Sequence, residues 1–263
     1  MAPVHYKIAL CQLQVTPDKD ANIAHARARI ETAADAGAKL VVLPEIWNCP
    51  YAMETLPSYA EDIDGGGSPS VSMLSEVAAS RKITIVGGSI PEKASGQLFN
   101  TCCVIGPNGA ILGKHRKLHL FGINIPGDIC FRESDTFTAG QEPTVVDTDV
   151  GRIGIGICHD IRFPELAMLY RARGAHLVCY PSAFNMSTGQ LLWDLMQKSR
   201  AIDNQLVLIS VVCGDLLACT RPQPALGIHD LGSFKSHRTI WGSPGSSRAR
   251  RNNRRRRDRP VFD

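Results

Sequence analysis

Short apolar runs alternate with longer amphipathic stretches along the first 212 residues. Lys7-Ile-Ala-Leu-Cys-Gln-Leu-Gln14 switches between apolar and polar positions at a period close to two, which predicts a strand. Over residues 21–36, Ile23, Ala26, Ile30, Ala33 and Ala34 fall near one helical face; Asp20 stands where a cap belongs and Gly37 where a helix stops. Leu40-Val-Val-Leu43 reads as a short buried strand, and Pro44-Glu45 follows at once. This β-α-β opening predicts an α/β sheet covered by helices.

The same grammar continues. A Gly/Ser/Pro segment at 65–69 precedes a predicted helix over 71–81 and a strand over 83–87. Residues 99–105 and 111–117 flank Pro107-Asn-Gly109, the clearest hairpin signal in the chain. Residues 144–148 and 152–157 read as another strand pair around Gly151. A helix with proline in its first turn is predicted over 164–173, a strand over 177–180, a helix over 193–204 and a strand over 206–212. With no repeat and no interior linker, residues 1–212 read as one domain. Beyond Val212 neither period persists, and residues 213–263 read as an atypical, Arg-rich tail without regular structure.

Composition changes this picture little: 44% hydrophobic and 21% charged residues in 263 are those of an ordinary globular chain, long enough to bury a core without disulfides. No apolar run approaches the ~18 residues of a membrane span, and the N-terminus lacks the apolar stretch of a secretory leader. Charge matters more. The net charge is +4, yet residues 248–263 hold eight Arg and two Asp, a net +6, so the other 247 residues carry 21 basic and 23 acidic groups, a net −2. Any affinity for nucleic acid therefore belongs to the tail, which has no interleaved aromatics. Nine cysteines, an odd number without C-x-x-C, read as reduced thiols and a cytoplasmic setting.

Three reactive side chains follow predicted strands: Glu45, Lys117 and Cys158. Ligands of open α/β sheets bind outside the carboxyl ends of strands, so these groups could converge. A thiol is a nucleophile once deprotonated, a carboxylate can take its proton, and an ammonium can stabilise an oxyanion. Spacing alone leaves open the plainer readings of a packed cysteine, a loop glutamate and a solvated lysine. His115 and His119 lie four apart without further ligands nearby, and the glycines at 109, 113, 151, 154 and 156 complete no phosphate or dinucleotide motif. Neither a metal nor an organic cofactor is expected.

Three segments resolve the ambiguity. Leu40-Val-Val-Leu-Pro-Glu-Ile-Trp47, Lys114-His-Arg-Lys-Leu-His-Leu-Phe121 and Gly154-Ile-Gly-Ile-Cys-His-Asp-Ile-Arg-Phe-Pro-Glu165 resemble, in order, the catalytic segments of the nitrilase superfamily, the carbon–nitrogen hydrolases. Phe121-Gly-Ile-Asn-Ile-Pro-Gly127, Phe131-Arg-Glu-Ser134, Phe184-Asn-Met-Ser-Thr-Gly189 and Ser199-Arg-Ala-Ile-Asp-Asn-Gln205 are similar to its omega-amidase branch. The resemblance implies an α/β fold of four layers, αββα, here expected to lack its C-terminal strands, in subunits that pair as homodimers. It implies Cys158 as nucleophile, Glu45 as general base and acid, Lys117 as oxyanion stabiliser with the His159 backbone N–H, and Glu133 as a second carboxylate. The implied substrate is a small-molecule amide, the ω-amide of 2-oxoglutaramate or 2-oxosuccinamate. Arg162 is the candidate for the substrate carboxylate, with an ion pair to Glu165 or Asp160 as its alternative; Tyr51, Phe184 and Trp193 are candidates for the pocket wall.

The chain departs from that branch in places. His159 stands where Tyr is usual, and Gln190 and Leu192 where Pro and His are usual. After Val212 the expected loop and strands give way to unrelated Arg/Ser/Pro text, the pattern a shifted reading frame or an alternative splice would leave. Other expectations stay open: a deaminated-glutathione amidase, a nitrilase, an N-carbamoyl hydrolase, or an inactive fragment whose basic tail binds nucleic acid and whose dimer fails.

Overall fold

A computed structural model describes residues 6–124, 130–184, 186–212, 226–231 and 239–241. Along the chain, β1 (Tyr6–Cys11), α1 (Lys19–Asp35), β2 (Ala38–Val42), α2 (Leu56–Tyr59), α3 (Pro69–Arg81), β3 (Thr84–Val86), β4 (Ile90–Ala94), β5 (Gln97–Ile105) and β6 (Ile111–Arg116) make up the first half. The short pair β7 (Gly122–Asn124) and β8 (Cys130–Arg132) leads to β9 (Thr144–Thr148), β10 (Gly151–Ile155), α4 (Pro164–Ala172), β11 (Leu177–Ser182), α5 (Met186–Asn204) and β12 (Val207–Val212). Two further strands follow, β13 (Leu226–Leu231) and β14 (Thr239–Trp241).

The strands build two large sheets. The first runs β13-β1-β2-β3-β5, with β4 and β6 also paired to β5; the second runs β14-β12-β11-β10-β9. Alternation along each strand divides its side chains between two layers. Ile8, Leu10, Leu40, Val42 and Val104 of the first sheet meet Ile153, Ile155, Leu177, Cys179 and Ile209 of the second in one buried cluster. On the far side of the first sheet, Ala9, Val41 and Ile85 pack against Ala26 and Ile30 of α1 and Leu74 and Val77 of α3. On the far side of the second, Val178, Tyr180 and Leu208 pack against Tyr170 of α4 and Trp193 and Ala201 of α5. The layers are α, β, β, α. Each fully buried Ile, Leu or Val in them is worth about 1.5–3 kcal/mol.

Some elements differ from the sequence reading. The α1 cap is Asp18, whose side chain accepts from the Ala21 N–H at 3.0 Å, rather than Asp20. α5 begins at Met186, about two turns before the predicted start. The stretch after Val212, read as lacking strands, supplies β13, antiparallel to β1, and β14, parallel to β12. An edge position asks for backbone pairing on one side only, so a segment with little apolar periodicity can fill it. The Arg-rich run at 248–259 lies outside the described residues, as do Cys213 and Cys219.

Candidate active site

Three strand ends meet at one rim. β2 runs out into Pro44-Glu45, β6 into Lys117, and β10 through Gly156 and Ile157 into Cys158, which opens a short 3-10 turn. Glu133 opens another 3-10 turn directly after β8. Glu45, Lys117 and Glu133 are buried, and Cys158 is partly buried. Lys117 Nζ lies 2.8 Å from Glu45 Oε1 and 2.7 Å from Glu133 Oε1. Asn100 on β5 donates its side-chain amide to Glu45 Oε1 at 2.9 Å and accepts the Lys117 backbone N–H at 2.8 Å. Ser182, at the end of β11, accepts the Glu45 backbone N–H at 3.3 Å and ties the first sheet to the second.

Two backbone conformations here are costly. Cys158 has φ of 44° and Ile46, directly after Glu45, has φ of 46°, the left-handed region that a β-branched residue rarely enters. Such residues cost of order 1–3 kcal/mol and persist where their surroundings hold them. Ser89 Oγ accepts the Ile46 N–H at 3.1 Å. Gly88 has φ of 65°, and a Cβ there would collide with the Pro44 carbonyl, so the loop before Glu45 requires glycine beside it.

The electrostatics are those of a cluster with one cation too few. Burial raises the proton affinity of Glu45; Lys117 opposes this, and the charge of Glu133 adds to it. Burial favours loss of the Lys117 proton, but Glu45 and Glu133 outweigh it and hold the ammonium charged. Burial, then the charge of Glu45, pushes the Cys158 thiol well above its ordinary value, while Lys117 and a hydrogen bond from the Ala183 backbone pull it back. Glu45 Oε2 takes no hydrogen bond of ordinary geometry, yet the Cys158 thiol is among the groups that lower the proton affinity of this carboxyl. The Glu45 carboxyl and the Cys158 thiol thus act on one another. The arrangement can pass a proton between them and can stabilise negative charge beside Lys117.

A cavity of about 140 Å³ opens onto the sulfur. Phe121, Ile123, Phe184 and Leu192 form its apolar wall, and His159 and Arg162 its polar one. Arg162 is exposed and forms no ion pair among the described residues; Asp160 is occupied elsewhere. Burial and then Lys117 lower the His159 imidazole to about 4, so it is neutral at pH 7. Phe184 is in the wall as expected. Trp193 is not: it packs edge-on against Phe184, ring centroids 5.1 Å apart, and belongs to the core behind the cavity, because its helical neighbour Leu192 takes the wall position. Tyr51 is not in the wall either. Its hydroxyl lies 3.2 Å from Glu45 Oε1 and makes a short hydrogen bond to Glu133, linking the two carboxylates. Asn100, Ser182 and Ala183 carry no sequence signal for their contacts, since nothing in a strand pattern says which backbone group or amide will face a site.

Comparison with known proteins gives the family. Residues 7–215 match the carbon-nitrogen hydrolase family model. The chain is 65% identical over 203 residues to "Omega-amidase, chloroplastic" of Arabidopsis thaliana, covering 76% of this chain and 55% of that protein. It is 49% identical over 201 residues to "Omega-amidase NIT2" of Homo sapiens, covering 76% of this chain and 72% of the human protein. The chain thus spans about half the length of the plant relative. Among solved structures, Nit3 of Saccharomyces cerevisiae, described as a member of branch 10 of the nitrilase superfamily, superposes with a TM-score of 0.72 at 43% identity, over 79% of this chain and 76% of that one. By its matched span, its layers and the groups gathered at its strand ends, this chain belongs to the carbon–nitrogen hydrolase family.

Proposed function

We propose that the chain is an omega-amidase, hydrolysing the ω-amide of 2-oxoglutaramate or 2-oxosuccinamate to the 2-oxo dicarboxylate and ammonia through a Cys158 thioester. The observation that carries this reading is the buried Lys117 ammonium, gripped by Glu45 and Glu133 beside the thiol. The names of the plant and human relatives supply the substrate class.

The reaction runs in two halves. The raised thiol affinity means that no thiolate stands ready, so a base must act during attack. Burial has raised Glu45 toward the thiol, which makes that transfer less uphill. As Glu45 takes the proton, the Sγ–C bond forms and the carbonyl electron pair moves to oxygen, facing Lys117 and the His159 backbone N–H. The tetrahedral intermediate collapses, the C–N bond breaks, nitrogen takes the proton from Glu45, and ammonia leaves. Water then gives a proton to Glu45 and attacks the thioester carbon; the C–S bond breaks and sulfur regains the proton. Glu133 holds Lys117 and, by accepting the Phe121 N–H at 2.7 Å, holds the cavity wall as well. Arg162, with no carboxylate partner among the described residues, is the cation for the far end of the substrate.

The subunit works as a homodimer in the cytoplasm. Leu191, Leu195 and Ile202 fall on one stripe of α5 and are exposed, as is Met168 of α4, an apolar face that a second copy would cover. The seven described cysteines are unpaired, as a reducing compartment keeps them. Among the described residues no helix is long and apolar enough to cross a membrane. The test is ammonia release from 2-oxoglutaramate by purified chain, run beside 2-oxosuccinamate and deaminated glutathione. Turnover of the first two, lost in Cys158→Ala, is expected. A folded protein without turnover, or turnover that survives the substitution, refutes the reading.

A further inference from the structure

Outside the groups given roles in the reaction, a dense polar knot surrounds Asp160, fully buried two residues past the sulfur. Its Oδ1 accepts the His119 backbone N–H at 2.9 Å and lies 2.7 Å from His119 Nδ1. Its Oδ2 accepts the Ile157 backbone N–H at 2.8 Å and lies 3.2 Å from His115 Nε2. Burial alone would favour the neutral acid, but the hydrogen bonds from His115 and His119 outweigh it and keep the carboxylate ionised. The tautomers that serve it carry the proton on His119 Nδ1 and on His115 Nε2, which leaves His115 Nδ1 to accept from Thr144 Oγ1 at 3.1 Å.

The four donors come from two places. Ile157 immediately precedes Cys158, so that bond closes the turn presenting the sulfur. His115 and His119 stand two residues before and two residues after Lys117. A carboxylate that merely capped the Cys158 turn would need the Ile157 N–H alone. The bonds to the histidines span 45 and 41 residues and reach across from one sheet to the other. His119 is further fixed by its ring, stacked on Phe163 with centroids 3.6 Å apart and planes 12° apart. The turn itself needs an outside restraint, given the left-handed backbone of Cys158.

We propose that Asp160 is a positioning residue: by bonding at once to the turn that carries Cys158 and to both histidines that bracket Lys117, it sets the distance between sulfur and ammonium. The proposal rests on reading Cys158 and Lys117 as the reacting pair. Misplacement of about 1 Å at a reacting centre can cost about hundredfold in rate.

Asp160→Asn keeps the side chain's size but turns one of the two acceptor oxygens into a donor, so two of the four N–H groups lose their acceptor. Its expected behaviour is a folded protein by circular dichroism, KM for 2-oxoglutaramate within about threefold of wild type, and kcat lower by about hundredfold. A second readout needs no substrate: the pH dependence of iodoacetamide alkylation at the Cys158 peptide, followed by mass spectrometry. With Lys117 no longer held beside the sulfur, the alkylation profile moves to higher pH. Should Asp160→Asn fail to fold, His115→Leu removes one of the four bonds and leaves the Ile157 bond in place; the same shift and about a tenfold fall in kcat are expected. A variant with a lowered melting temperature but wild-type kcat and alkylation profile overturns the proposal. If wild-type protein leaves 2-oxoglutaramate untouched, the amidase reading falls, and the alkylation comparison still decides the role of Asp160.

Discussion

Strand β6 and the residue after it deliver three cations within four positions, and they meet two different environments. Lys114 and Arg116 turn to Glu92, which accepts Arg116 Nε at 2.7 Å, Arg116 Nη2 at 2.8 Å, Lys114 Nζ at 2.8 Å and Thr101 Oγ1 at 2.7 Å. Asp64 takes the other side of Lys114 at 2.6 Å, and the Arg116 guanidinium lies 3.8 Å over the Phe99 ring. Two carboxylates face two cations, so the formal charge is zero. Burial pushes Glu92 up, but its Arg116, Lys114 and Thr101 hydrogen bonds bring it down to about 2. Lys117, one residue past β6, faces Glu45 and Glu133 instead, a formal charge of −1 with a carboxylate oxygen left over beside a thiol. The first knot has nothing left to exchange and holds the hairpin to β4. The second keeps an unmet demand for a proton, which is what a site of proton transfer requires.

The largest separation between the two knots is expected from matched lysine substitutions. Lys117→Met removes the only cation between two buried carboxylates, so kcat/KM falls by about 10³-fold and stability by about 3–5 kcal/mol. Lys114→Met, at a side chain 23% exposed, leaves kcat/KM as it was and costs about 1 kcal/mol. Steady-state kinetics and urea midpoints measure both; equal effects would erase the distinction.

Glu92→Gln tests the balanced knot alone. Glu92 binds its proton less tightly when folded, about 2 against an ordinary 4.5, so ionisation favours the fold. That contribution, about 3 kcal/mol, is complete above pH ~4.5 and is lost as pH falls through ~2. The stability difference between wild type and variant should therefore shrink steadily from pH 5 to pH 2. A constant difference would mean that packing, not charge, holds the knot.

Arg162→Ala comes next in size. Arg162 is a cavity-lining cation with no ion pair among the described residues, so its loss should raise KM for 2-oxoglutaramate by about tenfold to hundredfold, the scale of one charge-assisted hydrogen bond, with little change in kcat. The smallest effect is a shift of pH profile. Glu45 must be ionised to accept the thiol proton, so activity rises as pH rises through its titration. Glu133 is one of the charges holding that titration high, so Glu133→Gln should move the acid limb of kcat/KM to lower pH.

The contrast also explains what the sequence made legible. β1, β2, β5 and β10 to β12 show in the apolar pattern because most of their residues are buried on both faces between helices and sheet, whereas the more exposed β6 shows through the turn that joins it to β5. β4 does not show: Pro91 breaks the run, and Glu92 reads as a surface residue although it is fully buried. Nothing local announces that Arg116, far along the chain, will cover it. Glu45, Lys117 and Cys158 were readable because each ends a strand and because three motifs surround them. Tyr51 was readable as a site residue but not as the bridge between two carboxylates, and Trp193 looked like pocket wall because a helix seen as text does not say which of two neighbours turns inward. Asn100 and Asp160 were hidden for the reason that hid Glu92: their side-chain partners across the site lie 41 to 55 residues away. The positive φ of Cys158 and Ile46 is invisible in residue types that normally avoid it.

Acid quenching during turnover puts the claim that Cys158 carries the chemistry to its sharpest test. Wild-type protein is mixed with excess 2-oxoglutaramate, stopped within the first turnovers and read by peptide mass spectrometry alongside released ammonia. An acyl group on the Cys158 peptide, formed with a burst of ammonia no larger than the enzyme concentration, is expected. Ammonia released at full rate with that peptide unmodified at every quench time, and released equally by Cys158→Ala, would show that the thiol is a bystander.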